Sequence, residues 1–325
     1  MKKKVIYGFQ GCLSPEFPSQ IVVDVCESCN YACIHCPQAE FSKSSAYKGY
    51  FLDPKLNKKL VDETASDGKG LCQYLRYTAQ GEPLLHPDIV PMLKYACKYS
   101  GAQVNLTTNG SLLTASTGKK LLEAGVDVFD VSVDAFYPKT YARIRRKGDL
   151  AVTRANILSL IGVKNKGGYK SKVTVSFVEQ PLNTDESGKF KDFWEEAGAD
   201  YVVVRRMHSC AGAKKNIALA MASKAPPRRP CPYPWERLVL KPSGHICFCP
   251  ADWKHEEMIA HFSKASLREV WRGEFMTRLR CAHLKSDFSG FKLCGQCPDW
   301  AATRWPGEGR AYADMMKDFK KGGVK

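Results

Sequence analysis

The sequence predicts an α/β fold: a parallel sheet or partial barrel followed by a small cysteine-bearing unit. Three observations carry that prediction. Short β-branched runs alternate with helical segments over the first two-thirds of the 325 residues, polar punctuation directly follows several of those runs, and the cysteines gather in groups. A chain of this length buries a large core, as one big domain or one big plus one small. Repeated strand–helix units with buried-looking strands argue for parallel pairing.

The first strand is QIVVDV (20–25), which ends just before a cysteine run. Helical segments over 54–66 and 88–100 flank the strand LRYTAQ (75–80). QVNLTTN (103–109), VFDVSVD (128–134), KVTVSFV (172–178) and YVVVRR (201–206) supply the remaining strands, with amphipathic stretches at 118–125 and 150–167 between them. Working residues in such folds sit at the C-terminal ends of strands. Those ends carry Gly81-Glu82-Pro83, Thr108-Asn109-Gly110 and Ser132-Val133-Asp134. A Pro- and Arg-rich break over 222–234 reads as a linker, dividing 1–221 from 222–325. Beyond it LVLKPSGHICF reads as a hairpin with a Pro-Ser-Gly turn. A helix is expected near 265–281, then Cys294 and Cys297, then a tail from about 308 that is amphipathic or frayed.

Composition narrows the function classes. Apolar content of 44% and charged content of 25% are ordinary for a globular enzyme. No run reaches the roughly 18 apolar residues of a membrane span, and the N-terminus turns polar too early for a signal peptide, so a cytoplasmic location is expected. The net charge of +16 suits anionic partners. Aromatic residues are not interleaved with the basic ones as in a base-stacking platform, so nucleic acid is not the expected partner.

Fourteen cysteines are a heavy load for a reducing compartment unless many are ligands. CESCNYACIHC (26–36) holds four of them. Its two C-x-x-C pairs stand too close for two zinc knuckles round one ion, and a redox dithiol needs only one pair. Three thiolates at Cys29, Cys33 and Cys36 suit a 4Fe–4S cluster with one iron left open. Cys26 then reads as a packed neighbour.

This C-x-x-x-C-x-x-C after the first strand resembles the radical S-adenosylmethionine (SAM) superfamily, and the later strand-end motifs extend the likeness. The resemblance implies a partial (β/α)6 TIM-like barrel, a SAM-binding cluster, and reductive cleavage of SAM to a radical that abstracts substrate hydrogen. It also implies that His35 contacts the adenine region and that Gly81, Glu82 and Pro83 bind the SAM amino group, with Gln80 where a second glycine is common. Ser132 and Asp134 would meet the ribose or carboxylate, unless they cap the next helix, and Arg145 would pair with a carboxylate. Thr108-Asn109-Gly110 is expected to be structural.

A second set, Cys231, Cys249, Cys294 and Cys297, flanks the hairpin and ends in C-x-x-C. On spacing alone, zinc and iron–sulfur fit equally. Beside a radical SAM core the pattern resembles the SPASM/twitch extension, whose cysteines hold an auxiliary 4Fe–4S cluster. The absence of cysteines after Cys297 favours the shorter twitch form. Cys247 is two residues from Cys249, so strand alternation cannot choose between them. Cys281, in a helical stretch, is expected to pack.

The expected activity is that of a radical SAM oxidoreductase resembling twitch-bearing aminocyclitol dehydrogenases. It would oxidise an alcohol or amine carbon of a small polar, sugar-, cyclitol- or nucleotide-linked metabolite, for which an anionic group would suit the charge. Reduced flavodoxin or ferredoxin would supply electrons. Arg205, Arg206 and His208, ending the last core strand, are candidates for substrate contact or proton transfer, the bland alternative being a basic loop. Radical epimerisation and peptide or protein side-chain modification are the competing chemistries. With only about 20 residues before the first strand, an added peptide-recognition domain is not expected. A zinc-binding nucleic-acid module explains the charge but not the ordered motifs.

Overall fold

Nine strands form one sheet in the computed structural model, which describes residues 6–308 apart from positions 79, 224 and 307. They are β1 (Gln20–Val23), β2 (Tyr74–Tyr77), β3 (Gln103–Thr108), β4 (Val128–Ser132), β5 (Lys172–Glu179), β6 (Tyr201–Arg206), β7 (Arg237–Leu240), β8 (His245–Cys247) and β9 (Ala260–His261). The order is β6-β5-β4-β3-β2-β1-β7-β8-β9. Pairing is parallel from β6 through β7 and antiparallel across β8 and β9. The first six strands are those of the expected α/β partial barrel. The strands beyond 222–234 extend the same sheet past β1, with Ile21 opposite Leu238 and Val23 opposite Leu240.

Alternation along each strand sorts the residues. Ile21, Leu75, Leu106, Phe129, Val131 and Val175 lie in the main apolar core. Helices Pro54–Ser66, Ile89–Tyr99, Ala115–Glu123 and Leu150–Lys166 cover that side. Leu60, Leu93, Leu121 and Leu160 are their buried contacts, each contributing about 1.5–3 kcal/mol. Asp53, Thr114 and Asp149 cap three of these helices through side-chain bonds to the first-turn amides.

The helix expected near 265–281 is two helices, Leu267–Arg272 and Glu274–Lys285. Gly273 separates them in an extended conformation (φ −66°, ψ 168°), ending one and preceding the other. A Ser266–Glu269 capping box starts the first. Cys281 is exposed on the second rather than packed. The hairpin turn forms as expected, with Gly244 at φ +81°. The tail expected from about 308 lies outside the described residues, save Glu308 itself.

Candidate active site at the C-terminal edge of the barrel

β1, β2 and β4 end two or three residues short of the apolar runs, and the released residues build the site. Asp24 Oδ1 accepts the Gln80 amide at 3.3 Å, while Lys241 Nζ stands 3.5 Å from Oδ2. Burial pushes the Asp24 carboxyl up to about 7 against the pull of Lys241. Gln80, the departure from the family's glycine, ties the barrel to the later segment. Its amide donates to the Asp252 carbonyl (3.2 Å) and its oxygen meets His255 (2.9 Å).

The cysteine loop is clamped along its length. Buried Glu27 accepts the Lys48 and Tyr50 amides at 2.8 and 3.1 Å. Ala32 and Ile34 amides donate to the Arg146 and Ile144 carbonyls, both at 3.0 Å. Cys26 is buried, its thiol donating to the Glu82 carbonyl (3.1 Å) and Ser28 carbonyl (3.4 Å). Cys29, Cys33 and Cys36 follow on the same loop.

Gly81 packs directly on this loop: a Cβ there would stand 2.2 Å from the Cys26 carbonyl oxygen and 2.5 Å from that of Ser28. The Glu82 carboxylate is fully engaged by the chain. It accepts from the Leu84 amide (3.1 Å), the Thr108 hydroxyl (2.6 Å) and the Asn109 amide (2.8 Å). The Gly-Glu-Pro and Thr-Asn-Gly motifs are therefore one bonded unit, and the Glu82 amide donates to the Ser28 carbonyl at 2.9 Å.

Asp134 adopts φ +66° and is completely buried. The helix after it, Pro138–Ile144, has no side-chain cap, so Asp134 is not capping it. Instead Oδ1 accepts the Val178 amide (2.7 Å) and Oδ2 pairs with Arg145 (2.5 Å), with His35 at 3.6 Å. Arg145 also points Nη1 at Cys33 Sγ, 3.7 Å away. Burial lowers His35 to about 4, so its imidazole is neutral at physiological pH. Ser132 closes β4 opposite Ser176. Beside the loop lies a cavity of ≈ 550 Å³ lined by His35, Gln180, Leu182, Met207 and Lys214.

The second cysteine group surrounds its own cavity of ≈ 230 Å³, lined by Cys231, Cys249, Cys294 and Cys297, with Cys210 a fifth thiol. β8 ends at Cys247 and the chain bends at Phe248, so alternation stops there. Cys249 faces the cavity, whereas Cys247 packs with Val22 and Val239. Arg228 donates to the Cys297 and Cys294 carbonyls at 3.0 and 3.1 Å, and its guanidinium lies 4.4 Å from the Phe288 ring centroid. Asp299 accepts the Ser209 and Ala211 amides, both at 2.7 Å, bringing the loop after β6 and its Cys210 to the cavity wall.

The sequence reading missed Arg228, Asp299 and Cys210. Arg228 sat inside an apparent linker and Cys210 among scattered thiols. Arg205 reaches Asp130 (2.7 Å) and Ser176 (3.1 Å), Arg206 is exposed, and His208 lines the auxiliary cavity. Burial holds His208 below the usual imidazole range.

Both cysteine groups suit iron–sulfur clusters. Burial pushes their thiols up, Cys29 and Cys231 each to about 11. They stay protonated at neutral pH until a metal displaces the protons. Arg145 and Arg228 supply positive charge beside the two groups. Among the described residues no three His, Cys, Asp or Glu groups converge tightly enough to hold a single metal ion.

A parallel partial barrel with two cysteine groups at one edge is the layout of an iron–sulfur enzyme. The comparisons are specific: residues 23–175 match the radical SAM superfamily and 231–298 an iron–sulfur cluster-binding (SPASM) domain. The chain carries a radical SAM domain followed by a SPASM domain. Its cofactors are SAM, a SAM-binding 4Fe–4S cluster and an auxiliary cluster.

An AdoMet-dependent heme synthase of Methanosarcina barkeri is 35% identical over 182 residues, 56% of this chain and 48% of the relative. The chain thus spans about half the length of that curated relative. BtrN in complex with AdoMet and 2-DOIA shares the fold at TM-score 0.57 and 19% identity, over 86% of this chain and 92% of BtrN. Streptococcus suis SuiB bound to precursor peptide SuiA does so at TM-score 0.63 and 16% identity, over 93% and 73%. No helix among the described residues is long and apolar enough to cross a membrane.

Proposed function

We propose that this enzyme oxidises an alcohol or amine carbon of a small polar metabolite inside the barrel. The observation that carries the reading is the inner face of the sheet, opposite the apolar core. Gln20, Thr107, Asp130, Thr174, Ser176 and Arg205 alternate with the core residues there. Both amide atoms of buried Gln20 and the hydroxyls of Thr107 and Thr174 have no hydrogen-bond partner among the described residues. Buried polar groups are normally satisfied, and a hydroxyl-rich ligand supplies matching partners.

Cys29, Cys33 and Cys36 would hold the SAM-binding cluster, and Cys231, Cys249, Cys294 and Cys297 the auxiliary one. Bound there, the clusters supply one-electron chemistry: reductive cleavage of SAM to a 5'-deoxyadenosyl radical at the first, acceptance of the substrate's second electron at the second. The chain's own groups do the positioning. The ≈ 550 Å³ cavity offers neutral His35 and the apolar Leu182 and Met207 to the SAM adenine. Gly81-Glu82-Pro83 would meet the SAM amino group through backbone, because the Glu82 carboxylate is committed elsewhere. Asp134, Arg145 and Ser132 would meet the ribose and carboxylate ends. His208, at the wall of the auxiliary cavity and held below the usual imidazole range, is the group able to take the hydroxyl or amine proton. Reduced flavodoxin or ferredoxin is the proposed donor, and the cytoplasm the proposed location. The division at 221/222 would separate the radical core from the auxiliary-cluster unit, joined through the shared sheet.

Cyclitols, aminocyclitols and sugars deuterated at the carbinol or amino carbon test this. Anaerobically reconstituted enzyme should move deuterium into 5'-deoxyadenosine and form one carbonyl product per SAM consumed. Deuterium taken only from a peptide would sink the reading in favour of side-chain modification. Inverted, solvent-labelled substrate without a carbonyl would favour epimerisation.

The auxiliary ligand choice has its own test. Cys249→Ser should lose auxiliary iron, about half the total in a two-cluster protein, whereas Cys247→Ser should keep its full iron. The reverse pattern would exchange the two assignments.

A further inference from the structure

A cavity of ≈ 430 Å³ lies between β6 and the start of β7, a volume within the range of small-ligand sites. Its lining carries four guanidinium groups, Arg205, Arg206, Arg237 and Arg304, against one carboxylate, Glu236. Asp130 matches Arg205 at 2.7 Å, and Glu236 matches Arg237 at 2.8 Å. Arg206 and Arg304 are exposed and enter no ion pair among the described residues. Arg237 is buried, held 3.8 Å from the Tyr233 ring centroid, and its Nε has no acceptor among the described residues. The Nε of Arg205 is likewise without one.

Two guanidinium charges therefore remain beyond the two internal pairs, on the lining of one cavity. A phosphate monoester carries about −1.5 to −2 charge at pH 7 and three acceptor oxygens, and guanidinium forks suit it. A single carboxylate would leave one cation uncompensated. Arg205 reaches both this cavity and the inner-face residues Asp130 and Ser176, so a molecule anchored here extends into the barrel.

We propose that the Arg205–Arg237–Arg304 cavity binds the phosphate of a phosphorylated substrate whose hydroxyl-bearing body enters the barrel. This rests on the oxidation reading above but is tested by binding alone.

Calorimetry on the anaerobically reconstituted holoenzyme would compare inorganic phosphate, glucose 6-phosphate and GMP with glucose and guanosine. The phosphate-bearing probes should bind ~10-fold or more tightly than their bare counterparts, and Arg304→Ala and Arg206→Ala should each erase much of that difference. Both side chains are exposed, and unchanged iron content checks that each variant folds. Arg304→Lys should recover part of the affinity. Preference for glucose 6-phosphate or for GMP identifies the phosphate as sugar- or nucleotide-borne, and either supports the site. Equal binding of glucose and glucose 6-phosphate, or full phosphate affinity in folded Arg304→Ala, would overturn it. Failure of deuterium transfer from every polyol would instead count against the oxidation reading and leave these affinities unaffected.

Discussion

Replacing Cys29, Cys33 and Cys36 together by alanine should take the chain from about eight iron atoms to about four and abolish 5'-deoxyadenosine formation. The loop should survive the change. Glu27 holds the Lys48 and Tyr50 amides, and the Ala32 and Ile34 amides are bonded to the segment before the Leu150–Lys166 helix. None of those bonds involves a thiol. Truncating each thiol, buried at Cys33 and half-buried at Cys29 and Cys36, removes one polarizable atom, a cost of about 1 kcal/mol or less. Arg145 loses Cys33 but keeps Asp134 at 2.5 Å, so no buried cation is left alone. The auxiliary cysteines line a separate cavity and should retain their cluster. Iron analysis and chromatography of the SAM products read the outcome. Continued deoxyadenosine formation by the variant would remove these cysteines from the site.

Gly81→Ala should be the most disruptive single substitution at the site, costing about 3 kcal/mol. The new Cβ would lie 2.2 Å from the Cys26 carbonyl oxygen, 2.5 Å from that of Ser28 and 2.8 Å from the Cys26 thiol. Two of these are backbone atoms of the cysteine loop, which cannot swing aside as a side-chain tip can. Relief requires moving the loop off β2, and with it the bonds from the Cys26 thiol to the Glu82 carbonyl and from the Glu82 amide to the Ser28 carbonyl. The expected signature is a Tm lower by roughly 6–9 °C, with iron lost from the first cluster before the second. An unchanged Tm with full iron would show that the close approach does not exist in solution.

The strands and the strand-end motifs were legible because their signals are local. β-branched runs mark the ladder, and polar punctuation marks where it ends. The cysteine triad was legible from spacing within one loop. What escaped depends on distant contacts. Arg228 looks like linker until its guanidinium is seen holding both carbonyls of the C-x-x-C turn. Asp299 matters because it gathers amides from the loop after β6, about ninety residues away in the chain. Cys247 and Cys249 could not be separated because alternation assumes a strand, and the strand stops at Cys247. Gly273 splits a helix whose apolar spacing runs on through it. The polar inner face was hidden too: Gln20, Asp130 and Thr174 sit in runs that read as apolar on both faces.

The pairing of β1 with β7 bears on how the protein is made. Asp24 finds Lys241 only 217 residues later in the chain, so during synthesis the first strand stays an open edge until nearly three-quarters of the polypeptide has emerged. Contacts of such separation form late and slowly, and the cysteine loop hangs from that unfinished edge. Iron insertion at the first group is therefore expected to follow completion of the hairpin. A nascent chain stalled before it should be both metal-free and prone to edge-to-edge association.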